Sequence, residues 1–254
     1  MGSRSTLIVY RGRPVALSDV HAIAARLLGG HLRPDAELVV HASAPVRVDP
    51  RVESSPDPSL GTVRVLHLAV SSQCENILTE LSRMLLKGRL GFPDEFSQEA
   101  WEHFGEVPAE AIGLALSEVT GPVAVLSHDD GAGARGSYSI FVSGRRIWSA
   151  SYRPDQAYTT WDGSRLLVEP MGHESSDPME GSCSDFPAHG LKLLFTDPLP
   201  LTTKEIENLI PVLWRASRPP TEAADGMWLV EQGRFVDPGR GLTGPDWSRF
   251  VGSF

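Results

Sequence analysis

The stretch TLIVYRGRPVALSDVHAIAARLLGG, residues 6–30, joins a strand pattern to a helix pattern and decides the fold class. Thr6–Tyr10 is a short run of β-branched, aliphatic and aromatic residues, which favours a strand. Ser18 stands where a helix N-cap is expected, and apolar residues follow it at helical spacing. Gly29 and Gly30 then end the helix. The spacing therefore predicts a strand followed by a helix.

The same alternation continues downstream and predicts an α+β fold. Two strand patterns, the apolar face of a helix and another strand pattern follow in order: 38–40, 63–70, 77–85 and 123–126. A β-α-β-β-α-β order is that of a ferredoxin-like split sheet, which we expect within residues 1–127. Residues 92–119 stand between the second helix and the last strand, and we expect them to form an acidic helical insertion.

Residues 128–254 are expected to form a hairpin-rich antiparallel β region with one further helix. Turn residues separate its strand patterns: 138–142, 147–152, 158–161, 166–168, 227–230 and 234–236. These turns, among them Gly144-Arg145, are typical of hairpins. Thr202 or Thr203 is expected to cap a helix over 203–217. We expect both regions to pack as one unit.

The net charge of −9 argues against nucleic acids and anionic membranes as main partners, because both require a basic protein surface. No stretch approaches the roughly 18 consecutive apolar residues of a membrane span. The N-terminus lacks the apolar region of a signal peptide. Two widely spaced cysteines, Cys74 and Cys183, do not make a disulfide framework. We therefore expect a cytoplasmic protein.

The acidic charge is concentrated in one part of the chain. Residues 71–130 hold 3 basic and 11 acidic side chains, a balance of 3 − 11 = −8. Four glutamates in this part recur at spacings of four, three and four: Glu95, Glu99, Glu102 and Glu106. On a helix these carboxylates would form a single stripe, which we call the acidic stripe. Trp101 would lie close to it.

The acidic stripe has two interpretations. Like charges at this spacing destabilise an isolated helix by about 0.2–0.5 kcal/mol per pair, and a cationic partner would turn this repulsion into attraction. Trp101 would then be an interface anchor. In the other interpretation the stripe is only a solvated helix face, with Phe96 and Phe104 directed into the core.

Two motifs resemble catalytic or cofactor sites. His128, Asp129 and Asp130 combine imidazole and carboxylates at the end of a predicted strand, but three adjacent residues of an extended backbone do not converge on one centre. We interpret them as a solvated turn. The glycine pattern over 131–136 matches a dinucleotide-binding loop, yet a strand pattern follows it where that site needs a helix. A hairpin loop is the simpler interpretation.

Residues 170–190 contain acidic residues, Cys183 and two histidines, His173 and His189, at spacings that match no short-range zinc motif. Their composition favours a mobile loop. The sequence thus predicts no catalytic, metal or cofactor residue.

The first hypothesis is a non-enzymatic bacterial binding protein that engages a basic protein partner through residues 92–110. Its binding residues would be Glu95, Glu99, Trp101, Glu102 and Glu106. In charge and fold class the chain resembles acidic bacterial immunity and adaptor proteins in a general way. The alternatives are a metal-assisted or acid–base hydrolase that uses residues 128–130 with His173 or His189, and a structural subunit of a larger assembly.

Overall fold

The computed structural model describes residues 4–12, 14–28, 38–42, 45–47, 61–70, 107–129, 135–152, 157–161, 166–170, 226–231, 234–235 and nine single positions between 192 and 213. The strands are β1 (Arg4–Arg11), β2 (Leu38–Ala42), β3 (Val46–Arg47), β4 (Thr62–Val70), β5 (Val123–Asp129), β6 (Arg135–Val142), β7 (Arg145–Tyr152), β8 (Ala157–Trp161), β9 (Leu166–Pro170), β10 (Gly226–Glu231) and β11 (Arg234–Phe235). The helices are α1 (Leu17–Leu28) and α2 (Val107–Thr120).

The strands form one sheet in the order β11-β10-β2-β4-β1-β5-β6-β7-β8-β9, and β3 also pairs with β4. Each described pairing is antiparallel. The predicted α+β class is therefore confirmed in its coarse form, as a mostly antiparallel sheet with helices. Among the described residues, neither helix has the length and apolar character that crossing a membrane requires.

Strand β1 lies inside the sheet, between β4 and β5. Its three consecutive residues Leu7, Ile8 and Val9 are each 0% exposed. Because successive side chains of a strand point to opposite faces, this burial means that both faces of the sheet are covered. The unbroken apolar run of β1 follows from this position.

Helix α2 covers one face of the sheet, which we call the helix face. A Cβ on Gly113 would lie 2.5 Å from Val125 Cγ2 and 3.6 Å from the Phe141 ring, so only glycine allows the helix this close to β5. Ile8 is the direct partner of Val125 and lies on the same face. Helix α1 packs against α2 and completes this layer.

Apolar side chains fill the opposite face, which we call the leucine face. Leu7, Val9 and Val65 lie there with residues of β5, β6 and β7, and the layer above them contributes three leucines: Leu194, Leu209 and Leu213. Leu209 and Leu213 have helical backbone. Thr202 Oγ1 accepts a hydrogen bond from the Glu205 N–H at 3.3 Å, and Glu205 Oε2 accepts one from the Thr202 N–H at 2.7 Å. These two bonds form a capping box at Thr202, one of the two positions at which the sequence predicts a helix cap.

Two local predictions need correction. Helix α1 begins at Leu17 and not after Ser18, because the N–H groups of Asp19 and Val20 already donate to the carbonyl of Ala16. Ser18 is therefore inside the first turn.

The β6–β7 turn consists of Ser143 and Gly144, one residue earlier than predicted, with φ values of 50° and 72°. Two positive φ values make a type I′ turn, whose twist matches that of the strands.

Substitutions in this turn should have opposite effects on stability. Gly144→Ala is expected to lower the free energy of unfolding by about 1–2 kcal/mol, because an L side chain is strained at positive φ. Its Cβ would also lie 2.8 Å from Glu118 Oε1. Ser143→Asn is expected to raise it by a few tenths of a kcal/mol, since asparagine tolerates this conformation better than serine. Urea unfolding measures both, and a neutral Gly144→Ala would contradict the turn assignment.

Candidate functional site

The predicted binding residues lie outside the described part of the chain. They are Glu95, Glu99, Trp101, Glu102 and Glu106, and the predicted helix with its apolar face over 77–85 also lies outside it. The acidic stripe therefore stays a prediction. Helix α2 begins at Val107, directly after the last glutamate of the stripe in the sequence.

Pro108 explains why α2 begins where it does. Proline is tolerated in the first turn of a helix, where its missing N–H would have no partner, and it disfavours helical backbone in the residue before it. Pro108 is the second residue of α2, which agrees with this preference.

Helix α2 itself is apolar and lies inside the fold. Residues 109–117 are all buried, while Glu118 and Val119 are exposed near its end. A helix that is apolar on nearly all sides is covered on nearly all sides, here by the sheet and α1. The described part of the predicted insertion 92–119 is thus helical, as expected, but it is not an acidic surface.

Glu110, in the first turn of α2, follows the acidic stripe in the sequence and is buried. Its side chain is 2% exposed and forms an ion pair with Arg146 of β7. Ser139 Oγ of β6 donates a hydrogen bond to Glu110 Oε1 at 2.7 Å. The Arg146 guanidinium also stands over the Phe141 ring, with Cζ 5.6 Å from the ring centroid. Glu110, Ser139 and Arg146 form what we call the polar cluster.

Burial controls the electrostatics of the polar cluster. It raises the pKa of Glu110, against the opposing effects of Arg146 and the Ser139 hydrogen bond. It lowers the pKa of Arg146, against the effect of Glu110. In both groups burial, which disfavours the charged form, outweighs the effect of the partner's charge. The cluster fixes the start of α2 on β6 and β7, and Glu110 is not available to an external cation.

Hydroxyl groups continue this polar region across the helix face. Thr6 and Ser127, which are direct partners on β1 and β5, share a hydrogen bond of 2.7 Å. Ser149 on β7 is the direct partner of Ser139, and its Oγ is buried without a hydrogen-bond partner. An unsatisfied buried hydroxyl costs about 1–3 kcal/mol. These serines adjoin the polar cluster on the helix face.

The interpretation of His128 and Asp129 as a solvated turn is wrong. Both residues belong to β5, and His128 is the partner of Ser5 on β1 and of Gly136 on β6. Pairing on both sides extends the strand beyond the apolar residues from which it was predicted. Asp130, His173 and His189 lie outside the described residues. Across the described ranges, no group of three or more His, Cys, Asp or Glu residues is placed to hold a metal ion.

The glycine loop connects two antiparallel strands, as predicted. β5 ends at Asp129 and β6 begins at Arg135, and these two residues are partners in the hairpin. Gly136 is already part of β6. The loop therefore leads directly into a strand, whereas a dinucleotide site needs it to open a helix.

One pair of ionisable residues was missed in the sequence. His41 of β2 and His67 of β4 are direct cross-strand partners, and they are 2% and 8% exposed. Each lies in an apolar strand pattern, where a single polar residue gives little signal on its own. Only the register of the two strands brings the imidazoles together.

No protein-family model matches the chain, and neither the curated proteins nor the solved structures contain a significant match. The function must therefore be inferred from the residues of this chain alone.

Proposed function

We propose that this chain is a non-enzymatic binding protein that engages a basic protein partner through residues 92–106. The observation that carries the proposal is the charge of residues 71–130, with 11 acidic and 3 basic side chains. Glu110 is matched internally by Arg146, so its carboxylate does not contribute to an external acidic surface. Complementary charge of this kind directs encounter with a basic surface and increases the association rate.

The attachment of the segment to α2 supports the proposal. Ile112 and Leu116 of α2 are fully buried, and the polar cluster fixes the first turn of the helix. The residue after Glu106 is therefore part of a rigid element. A binding segment that is held at one end has less conformational entropy to lose when it binds.

We further propose the ferredoxin-like arrangement for residues 1–127. Its support is the strand order β2-β4-β1-β5 with antiparallel neighbours. Helix α1 follows β1 and helix α2 precedes β5, as a split β-α-β fold requires. Continuation of the same sheet into β6–β9 supports packing of residues 1–127 and 128–254 as one unit. The widely spaced cysteines support a reducing compartment such as the cytoplasm.

Affinity capture from the native host at low salt tests the binding proposal. Captured proteins are identified by mass spectrometry for the natural chain and for the double variant Glu99→Lys/Glu102→Lys. We expect a basic protein that the natural chain retains and the variant loses by at least tenfold, because attraction becomes repulsion over the same surface. Low salt is required because screening weakens exposed charge pairs.

A charge-matched control separates a specific site from general acidity. Asp19 and Glu118 are exposed on α1 and α2, so Asp19→Lys/Glu118→Lys changes the net charge by the same amount at another place. The control should retain the partner. Equal loss from both variants, or equal retention by both, would refute the acidic stripe as the binding surface. Bound metal in the purified chain would instead favour the hydrolase hypothesis for residues 128–130.

A further inference from the structure

The buried histidine pair lies in the interior of the sheet. His41 and His67 face each other across β2 and β4, so their Cβ atoms are about 4.5–5.5 Å apart. Leu7 of β1 is the next partner of His67, and Gly226 of β10 is the next partner of His41. Strands therefore continue on both sides of the pair.

The imidazoles belong to the leucine face. Along β4, residues that are two apart share a face, so His67 lies on the same face as Val65. Val65 and Leu7 pack in the cluster that contains Leu194, Leu209 and Leu213. The histidines thus lie on the face that Leu194, Leu209 and Leu213 cover.

Few charged groups of the described residues face this pair. On β1, Arg11 is the partner of Val63. It is four residues from Leu7 along the strand, or about 13 Å away. In the layer above, Lys192, Lys204 and Glu205 are exposed. Burial is the main cause that lowers the pKa of His67 to about 4, and the positive charge of His41 is the second cause.

We propose that His41 and His67 form an acid-sensitive latch, which holds the C-terminal leucines on the sheet at neutral pH and releases them when the imidazoles take up protons. Two neutral imidazoles fit within an apolar layer. Two imidazolium groups at this separation repel each other and must regain water, which requires the layer above them to move away. This device is independent of the proposed binding function.

The direction of the pH effect follows from the lowered pKa. Unfolded histidine has a pKa of about 6.5, so the folded chain binds this proton more weakly than the unfolded chain does. The stabilising contribution is fully present above pH 6.5 and is lost as the pH falls toward 4. For His67 alone, the ratio of folded to unfolded chain should fall roughly 100-fold over that range.

Denaturant unfolding between pH 7 and pH 4 tests the latch. Natural chain and the double variant His41→Gln/His67→Gln are compared, with His21→Gln on α1 as the control. Between pH 7 and pH 4, the folding equilibrium constant of the natural chain should fall at least 100-fold relative to that of the double variant. The control should follow the natural chain, and parallel pH profiles for all three would overturn the latch.

Hydrogen exchange, corrected for the intrinsic pH dependence of the rate, locates the release. Peptides that cover 204–213 should lose protection at pH 5 before β1 and β5 do. If the peptides over 204–213, β1 and β5 all lost protection at the same pH, the proposal of a local release would be overturned. If the double variant does not fold, NMR titration of the natural chain decides: a His67 pKa below 5 supports the latch, and a value of 6 or more rejects it.

Discussion

Arg146→Met is expected to lower the free energy of unfolding by about 3–5 kcal/mol, because it leaves the buried carboxylate of Glu110 without its cation. Methionine fills much of the arginine volume and can contact the Phe141 ring, so most of the loss should be electrostatic. Urea unfolding at pH 7 measures the effect. A loss below 1 kcal/mol would show that the Glu110 carboxylate does not depend on the ion pair.

The matched double variant distinguishes an unpaired charge from lost packing. Glu110→Leu/Arg146→Met replaces the ion pair with apolar groups, and it is expected to recover more than half of the stability lost by Arg146→Met. A double variant that is no more stable than the single variant would assign the loss to packing. Double-mutant analysis is appropriate here because the two residues are in direct contact.

The pH dependence of Arg146→Met provides a further check on the same prediction. Burial already raises the pKa of Glu110 in the natural chain, and removal of the arginine raises it further. When a carboxyl has a higher pKa in the folded chain than its unfolded value of about 4.3, the folded chain is most stable below that pH. Its stability is lost as the pH rises. The deficit of Arg146→Met relative to the natural chain should therefore be smaller at pH 4 than at pH 7.

Phe141→Ala is expected to destabilise the chain by about 3–5 kcal/mol. The ring is fully buried on the helix face, between Gly113 of α2 and the guanidinium of Arg146. Its removal leaves a cavity that α2 cannot fill without breaking the polar cluster. Thermal or urea unfolding measures the change.

Two controls define the origin of that effect. Phe141→Leu keeps much of the volume and should cost clearly less than Phe141→Ala. Val119→Ala removes an apolar side chain that is 73% exposed, and it should change stability by less than about 0.5 kcal/mol. Similar losses for Phe141→Ala and Val119→Ala would contradict the placement of α2 over β6.

The local patterns predicted α1 and the described strands other than β3, but not the ends of these elements. β1 extends to Arg4 through its pairing with β5 and to Arg11 through its pairing with β4, and β5 extends to Asp129 because β1 and β6 pair with it along its whole length. Those pairings are made by residues distant in the sequence, so local propensity does not report them. The β6–β7 turn begins at Ser143, one residue earlier than predicted, because the twist of the two strands favours a type I′ turn at that position.

The candidate site was harder to predict for the same reason. A glutamate is usually expected at the surface, but Glu110 is buried with Arg146, which is 36 residues away on the facing strand. Likewise His41 and His67 become a pair only through the register of β2 and β4. The acidic stripe was predicted from the helical spacing of glutamates within a short segment. Such local spacing can be recognised from the sequence alone.

The rate of association with the captured basic partner is the most direct test of the acidic stripe. It is measured at about 0.02 M and 0.5 M salt for the natural chain, Glu99→Lys/Glu102→Lys and the charge-matched control, since electrostatic steering is strong at low salt and screened at high salt. We expect a tenfold or greater decrease for the stripe variant at low salt only, with the control unchanged. Equal rates for natural chain and stripe variant at low salt would contradict it.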